Sequence, residues 1–308
     1  MWAASLARFF EYAGATGLFG AALFCLILLP PHGGASAIAL RWPKPLMIGS
    51  SLLLFLGALL SLAAQAATMN GIPLDKLDIP SVSVVLTDTQ WGHAIAVRIV
   101  LSLIAVGAAF CLRATAAMWW ASCLLGVLIL ASFAWTGHGA STEGAGGLVH
   151  LLADIAHLIA AGMWLGALAA FLALLCLPKA GDGEQQLALY NALTNFSGIG
   201  SALVAVLVVS GLINSYFLIG LDHFSRLFTS VYSGLLMIKI VLFAAMVGLA
   251  AGNRFRLTPA LGLALGDEIR MSKALGDLKR SILIEFMAGL VVLALVAVIG
   301  MLEPLTAE

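Results

Sequence analysis

The chain has 308 residues, 62% of them hydrophobic and only 10% charged, with 15 basic and 15 acidic side chains and a net charge of zero. Soluble domains average about 45–50% apolar and about 25% charged, so this chain cannot bury its apolar surface in a water-soluble core and belongs in a bilayer. The charge balance leaves no basic footprint for nucleic acid, the charges are too few for a disordered tail, and four Cys without a C-x-x-C pair make neither a disulfide framework nor a zinc ribbon.

A span needs about 20 apolar residues, and eight runs qualify: Leu6 to Leu29, Pro45 to Ala67, Ala94 to Leu112, Ala116 to Trp135, Leu148 to Leu177, Leu193 to Ile219, Val231 to Ala251 and Ser281 to Leu302. Turn or charge signals separate them, such as Pro30-Pro31 and the Gly-rich stretch from Gly137 to Gly147. Arg8 and Glu11 interrupt the start of the first run, which is too long for a signal-peptide core and is read as a retained helix. The expected fold is an all-α integral membrane protein, a bundle of eight transmembrane helices forming one polytopic domain over 1–308. Residues 1–140 hold the first four helices and 141–308 the last four. Ser81 to Thr87 alternates as a short strand or hairpin would, and Asn253 to Arg280 mixes Leu and Ala with charges as a surface-lying amphipathic helix would.

Orientation follows from the cations. Ten flank one side (Arg41, Lys44, Arg113, Lys179, Arg254, Arg256, Arg270, Lys273, Lys279, Arg280) and three the other (Arg8, Lys76, Arg226). The richer side is cytoplasmic, so both termini are expected outside.

Ionisable groups within spans are costly, by about 2.5–3.5 kcal/mol on insertion scales, and mark function by default. The fifth span carries His150, Asp154 and His157 in HLLADIAH. At about 100° per residue, Asp154 lies about 40° from His150 and His157 about 20° on the other side. All three share one helix face, a pattern suited to a metal, a proton relay, or a haem ligand with a supporting carboxylate; the alternative is hydrogen bonding that specifies helix packing. His93 begins the third span and His138 ends the fourth, so three helices can bring imidazole to one depth, as a transition metal requires. His223 reads as solvated, and His32 stands alone on the inner side. Glu11, Arg98, Asp154 and Lys239 lie in the same outer half and compensate one another, either as a structural ion-pair network or with Glu11 or Asp154 binding a metal or proton while Lys239 or Arg98 balances the empty site. Glu285 is expected to pair with Arg254 or Arg256. Cys25, Cys111, Cys123 and Cys176 all fall in the inner half; thiolates select Cu(I), but buried Cys ordinarily serves as a small hydrophobe. Met1 and Met69 sit at the outer surface.

Four stretches carry a resemblance: HLIAAGMWLGALAAF (157–171), VVSGLINSYFLIG (208–220), LFTSVYSGLLMIKIVLFAAMVGLAAGNRFRL (227–257), and the last span with Glu285. Together they resemble the bacterial copper-resistance protein D family, most densely from about residue 150 onward. The resemblance implies a bacterial inner-membrane protein of copper homeostasis, not an enzyme, that receives copper, Cu(I) or Cu(II), from a periplasmic copper-binding protein of the CopC type and moves it toward the cytoplasm. The expected copper site is His93, His138, His150 and His157 with Asp154, and Glu11, Met1, Lys239 and Arg98 as accessory groups. Similarity of the family's fold to membrane cytochromes b keeps one alternative, a single haem b held by His93 or His138 opposite His150 or His157, as in a cupric reductase; a docking or sensing protein that binds copper without transport is the other.

Overall fold

A computed structural model describes residues 2–29, 42–137, 142, 144–176, 183–220 and 230–302. His138, Met1, His32 and His223, expected above to contribute or be solvated, lie outside the described residues. Ten α-helices follow in order: α1 (Trp2–Ile27), α2 (Pro43–Met69), α3 (Ile79–Asp88), α4 (Gln90–Cys111), α5 (Ala116–Ser132), α6 (Ala145–Cys176), α7 (Gly183–Ile219), α8 (Val231–Gly252), α9 (Thr258–Leu263) and α10 (Glu268–Ile299). No strand occurs among the described residues, and eight helical segments are long and apolar enough to cross a membrane.

The helix α1 is the hub, packed against α2, α5, α6 and α10. Lipid tails are as apolar as Leu, so helices associate in a bilayer through close backbone packing that small residues permit. A Cβ on Gly14 would meet the backbone N of Leu54 at 2.6 Å, one on Gly126 would meet Cβ of Phe19 at 2.6 Å, and one on Gly166 would collide with the backbone of Gly20. The α1–α6 crossing therefore depends on Gly20, Gly162 and Gly166. Gly166→Ala is expected to destabilise the protein by about 1–3 kcal/mol through overpacking, read as a lower unfolding midpoint in detergent; an unchanged midpoint would show that this crossing can open without cost.

Ser81 to Thr87 is helical, within α3, rather than a strand. Asp78 caps its first turn by accepting from the Ser81 amide at 2.9 Å, Pro80 stands where a missing N–H costs nothing, and Val82, Val85 and Leu86 dock at helical spacing onto a cluster with Leu62 and Ile95. The Ser81 hydroxyl and amide hold the Asp78 carboxyl below its ordinary range. A carboxylate lowered by folding contributes stability that is lost as pH falls. The amide protection factors within α3 should accordingly fall on acidification while those in the spans do not; an α3 whose protection is indifferent to pH would contradict the cap.

At the end of the bundle holding Arg254, the end expected to be inner, Asn253 to Arg280 is not one surface helix. A π-helical turn, Asn253–Leu257, joins α8 to α9. The last helix then starts at Glu268, capped by Asp267, well before the expected Ser281. Its 32 residues reach about 48 Å at about 1.5 Å each, longer than the about 30 Å hydrocarbon core, so its charged early turns project past the membrane. Both α8 and α10 pack together, whereas α7 and α8 scarcely touch each other. The space left among α6, α7, α8 and α10 contains the cavities described next.

Candidate copper site

Residues His150, Asp154, His157, Ala161, Trp164, Leu168 and Phe171 follow one another at alternating steps of four and three, a single stripe on α6. Three cavities lie along it. The outermost, about 180 Å³, is lined by His150, Asp154 and His157 together with Arg8, Tyr12, Asn214 and Lys239. The second, about 280 Å³, shares His157 and Lys239 with the first and adds Met246 and Trp164. The third, about 260 Å³, shares Trp164 with the second and reaches Glu285, Asn253 and Arg254 at the inner end.

The imidazoles are held by hydroxyl groups. His150 is 1% exposed, stacks on Phe217 with ring centres 4.9 Å apart, and has Nδ1 2.8 Å from Thr142 Oγ1. His157 has Nδ1 2.9 Å from Ser210 Oγ. The Ser210 hydroxyl also lies 2.6 Å from the Val206 carbonyl; when its one proton goes there it accepts at His157, and the ring, protonated on Nδ1, then presents its lone pair on Nε2, the atom a metal or proton would take. Such orienting partners typically contribute about 10–100-fold to metal affinity. Ser210→Ala is expected to weaken copper binding by about that factor with little change in stability, measured by competition with a chelator; unchanged affinity would refute the tautomer argument.

Asn214 Nδ2 donates to Asp154 Oδ1 at 3.3 Å, while Asn214 Oδ1 is buried without a partner, an acceptor at the edge of the same cavity. Lys239 and Asp154 line this same cavity without an ion pair within 4 Å among the described residues. Among the described residues no three His, Cys, Asp or Glu side chains converge on one point as a preformed metal site. The two histidines and the aspartate line one cavity but a common ion would have to draw them together.

The other expected contributors fall elsewhere. Exposed His93 donates from Nε2 to the Thr87 carbonyl at 3.1 Å. It belongs to α4, which packs chiefly on α2, α3 and α5, and it lines none of the three cavities. Glu11 and Arg98, 0% and 2% exposed, pair with each other at 2.5 Å. Ser61 donates to the other Glu11 oxygen, and Arg98 also reaches Ser132 and Thr136 over the Phe133 ring at 4.0 Å. This closed network is one of the two readings the sequence left open. Glu285 does not pair with Arg254 or Arg256; it accepts from Trp164 and Asn253. Cys25 and Cys123 are buried and Cys111 and Cys176 exposed, and none lines the three cavities. The His93 half of a haem pair is not formed.

Sequence reasoning missed Ser210, Thr142, Trp164 and Asn253 as site residues. Trp164 lies two steps further along the stripe from His157 and was within reach of the same periodicity. The hydroxyl groups carry no signal of their own.

The model of the copper resistance protein D-like N-terminal domain matches residues 1–148, and that of copper resistance protein D matches residues 190–299. Copper resistance protein D of Pseudomonas syringae pv. tomato is 36% identical over 298 residues, 96% of this chain and 95% of that protein. Inner membrane protein YebZ of Escherichia coli K12 is 29% identical over 184 residues, 59% of each. Copper transport protein CutJ of Bacillus subtilis is 32% identical over 123 residues, 40% of this chain and 22% of that protein. No solved structure matches significantly. Near-full-length identity at this level, on an eight-span all-helical bundle, means that the chain belongs to the copper resistance protein D family.

Proposed function

We propose that this protein is a copper carrier of a bacterial inner membrane, taking a copper ion on its outer side at His150, Asp154 and His157 and passing it inward. What supports this reading is the α6 stripe, which lines three successive cavities from His150 to Trp164 and Phe171, with His157 Nε2 carrying a lone pair at the junction of the first two. Family membership supports copper as the ion. Imidazole accepts copper in either oxidation state, and the Met246 thioether in the second cavity suits Cu(I). Lys239 acts as the stand-in cation. Its ammonium balances Asp154 when no copper is present and yields electrostatically when the ion arrives. A site whose ligands are not preassembled suits transport, since an ion must enter readily and also leave. The cation asymmetry supports termini on the periplasmic side, where a copper-binding protein of the CopC type would deliver the ion. No covalent chemistry is required, so the protein works as a carrier rather than an enzyme.

Copper uptake by proteoliposomes containing the purified protein tests this. Uptake that disappears in His157→Ala supports the carrier. Copper bound without uptake makes it a docking or sensing protein, and a Soret band that survives purification makes it a cytochrome.

A further inference from the structure

At the inner end of the cavity row, Glu285 on α10 is 1% exposed, and both its oxygens accept from neutral donors. Trp164 Nε1 donates to Oε1 at 2.8 Å, and Asn253 Nδ2 donates to Oε2 at 2.9 Å. No cation lies within 4 Å among the described residues. Arg254, the other charged group lining this cavity, turns to the Ser197 carbonyl at 3.2 Å and to the Ser201 hydroxyl on α7. The remaining neighbours are uncharged: Trp164 from α6, Thr258 from α9, and Val247 and Ala250 from α8. His157 and Lys239 belong to the next cavity, which meets this one at the Trp164 indole. Glu285 is thus a buried carboxyl without the partner cation that an ionised one requires.

A second observation points to what it holds. Asn253 Oδ1 is buried and has no hydrogen-bond partner, although the same amide already touches Glu285 through its nitrogen. An orphaned buried acceptor costs about 1–3 kcal/mol. Which way a buried amide faces follows from its neighbours' protons. If Glu285 carries a proton on Oε2 and the Asn253 amide turns over, that proton is donated to Oδ1, while Trp164 keeps Oε1 and the amide nitrogen takes the position the oxygen held. One proton removes the uncompensated charge and gives Oδ1 a donor. Asn253 also opens the π-helical turn that joins α8 to α9, an irregularity frequent at functional positions.

We propose that Glu285 and Asn253, with Trp164 fixing the second carboxyl oxygen, form a proton-binding site that loads from the inner cavity. The step is a simple acid–base exchange: a proton adds to Oε2 from the cavity and returns to it, with no redox change. The site stands apart from the copper reading, because its ligand is a proton and its test measures no copper.

Infrared difference spectroscopy of the protein in lipid nanodiscs, titrated with pH, tests it. The wild type should show a protonated-carboxyl C=O band that grows on acidification and is lost in Glu285→Gln. In Asn253→Leu the band should move to higher frequency, because its acceptor is gone. If Glu285→Gln does not accumulate as folded protein, Glu285→Asp serves instead and should shift the band. A Glu285→Gln spectrum superimposable on that of the wild type, or a band unmoved in Glu285→Asp, overturns the proposal.

Discussion

Arg98→Ala is expected to lower the stability of the protein by about 3–5 kcal/mol, the usual cost of stranding one member of a buried ion pair. Glu11 would be left fully buried with only Ser61 as a donor, and the Ser132 and Thr136 hydroxyls would lose the guanidinium they share. This pair ties α1 to α4 and, through Ser132, to α5. Replacing both charges together, as Glu11→Leu with Arg98→Met, should recover most of the loss, since a well-packed apolar pair is often as stable as a buried ionic one. Unfolding in mixed detergent micelles measures both effects. The double variant should also retain copper binding, because neither residue lines the α6 cavities; loss of copper from a stable double variant would return Glu11 to the metal site.

The second large effect is functional. His150→Ala combined with His157→Ala is expected to reduce copper affinity by more than the about 10–100-fold that a supporting residue alone contributes. Stability is to be followed alongside, because His157 faces a cavity but His150 is buried against Phe217 and Thr142. Cells producing the double variant should accumulate no more copper than cells lacking the protein. A double variant that binds and accumulates copper like the wild type would remove α6 from the account.

The spans were legible because a bilayer demands long apolar runs whatever the tertiary packing, and the α6 stripe because helical geometry alone puts positions 150, 154 and 157 on one face. Azimuth was not legible. His93 sits at the right depth, but α4 faces α2 and α5, and nothing in one sequence orders helices around a bundle. The same limit hid the pairing of Glu11 with Arg98 and of Glu285 with Trp164. All three charges were visible, but partner choice depends on which helices meet. The strand expected over Ser81 to Thr87 failed for a different reason. Its alternation also satisfies a helix, and the Asp78 cap with the docking of Val85 between α2 and α4 decides the matter. Hydroxyls such as Ser210 are invisible as site residues, because in the sequence they look like any small polar residue lining a helix.

X-ray absorption at the copper edge of the copper-loaded protein tests the central claim most directly. The account predicts imidazole nitrogen in the first coordination shell of the wild type and its loss in His150→Ala with His157→Ala. A shell of sulfur alone, or one unchanged in that variant, would contradict it.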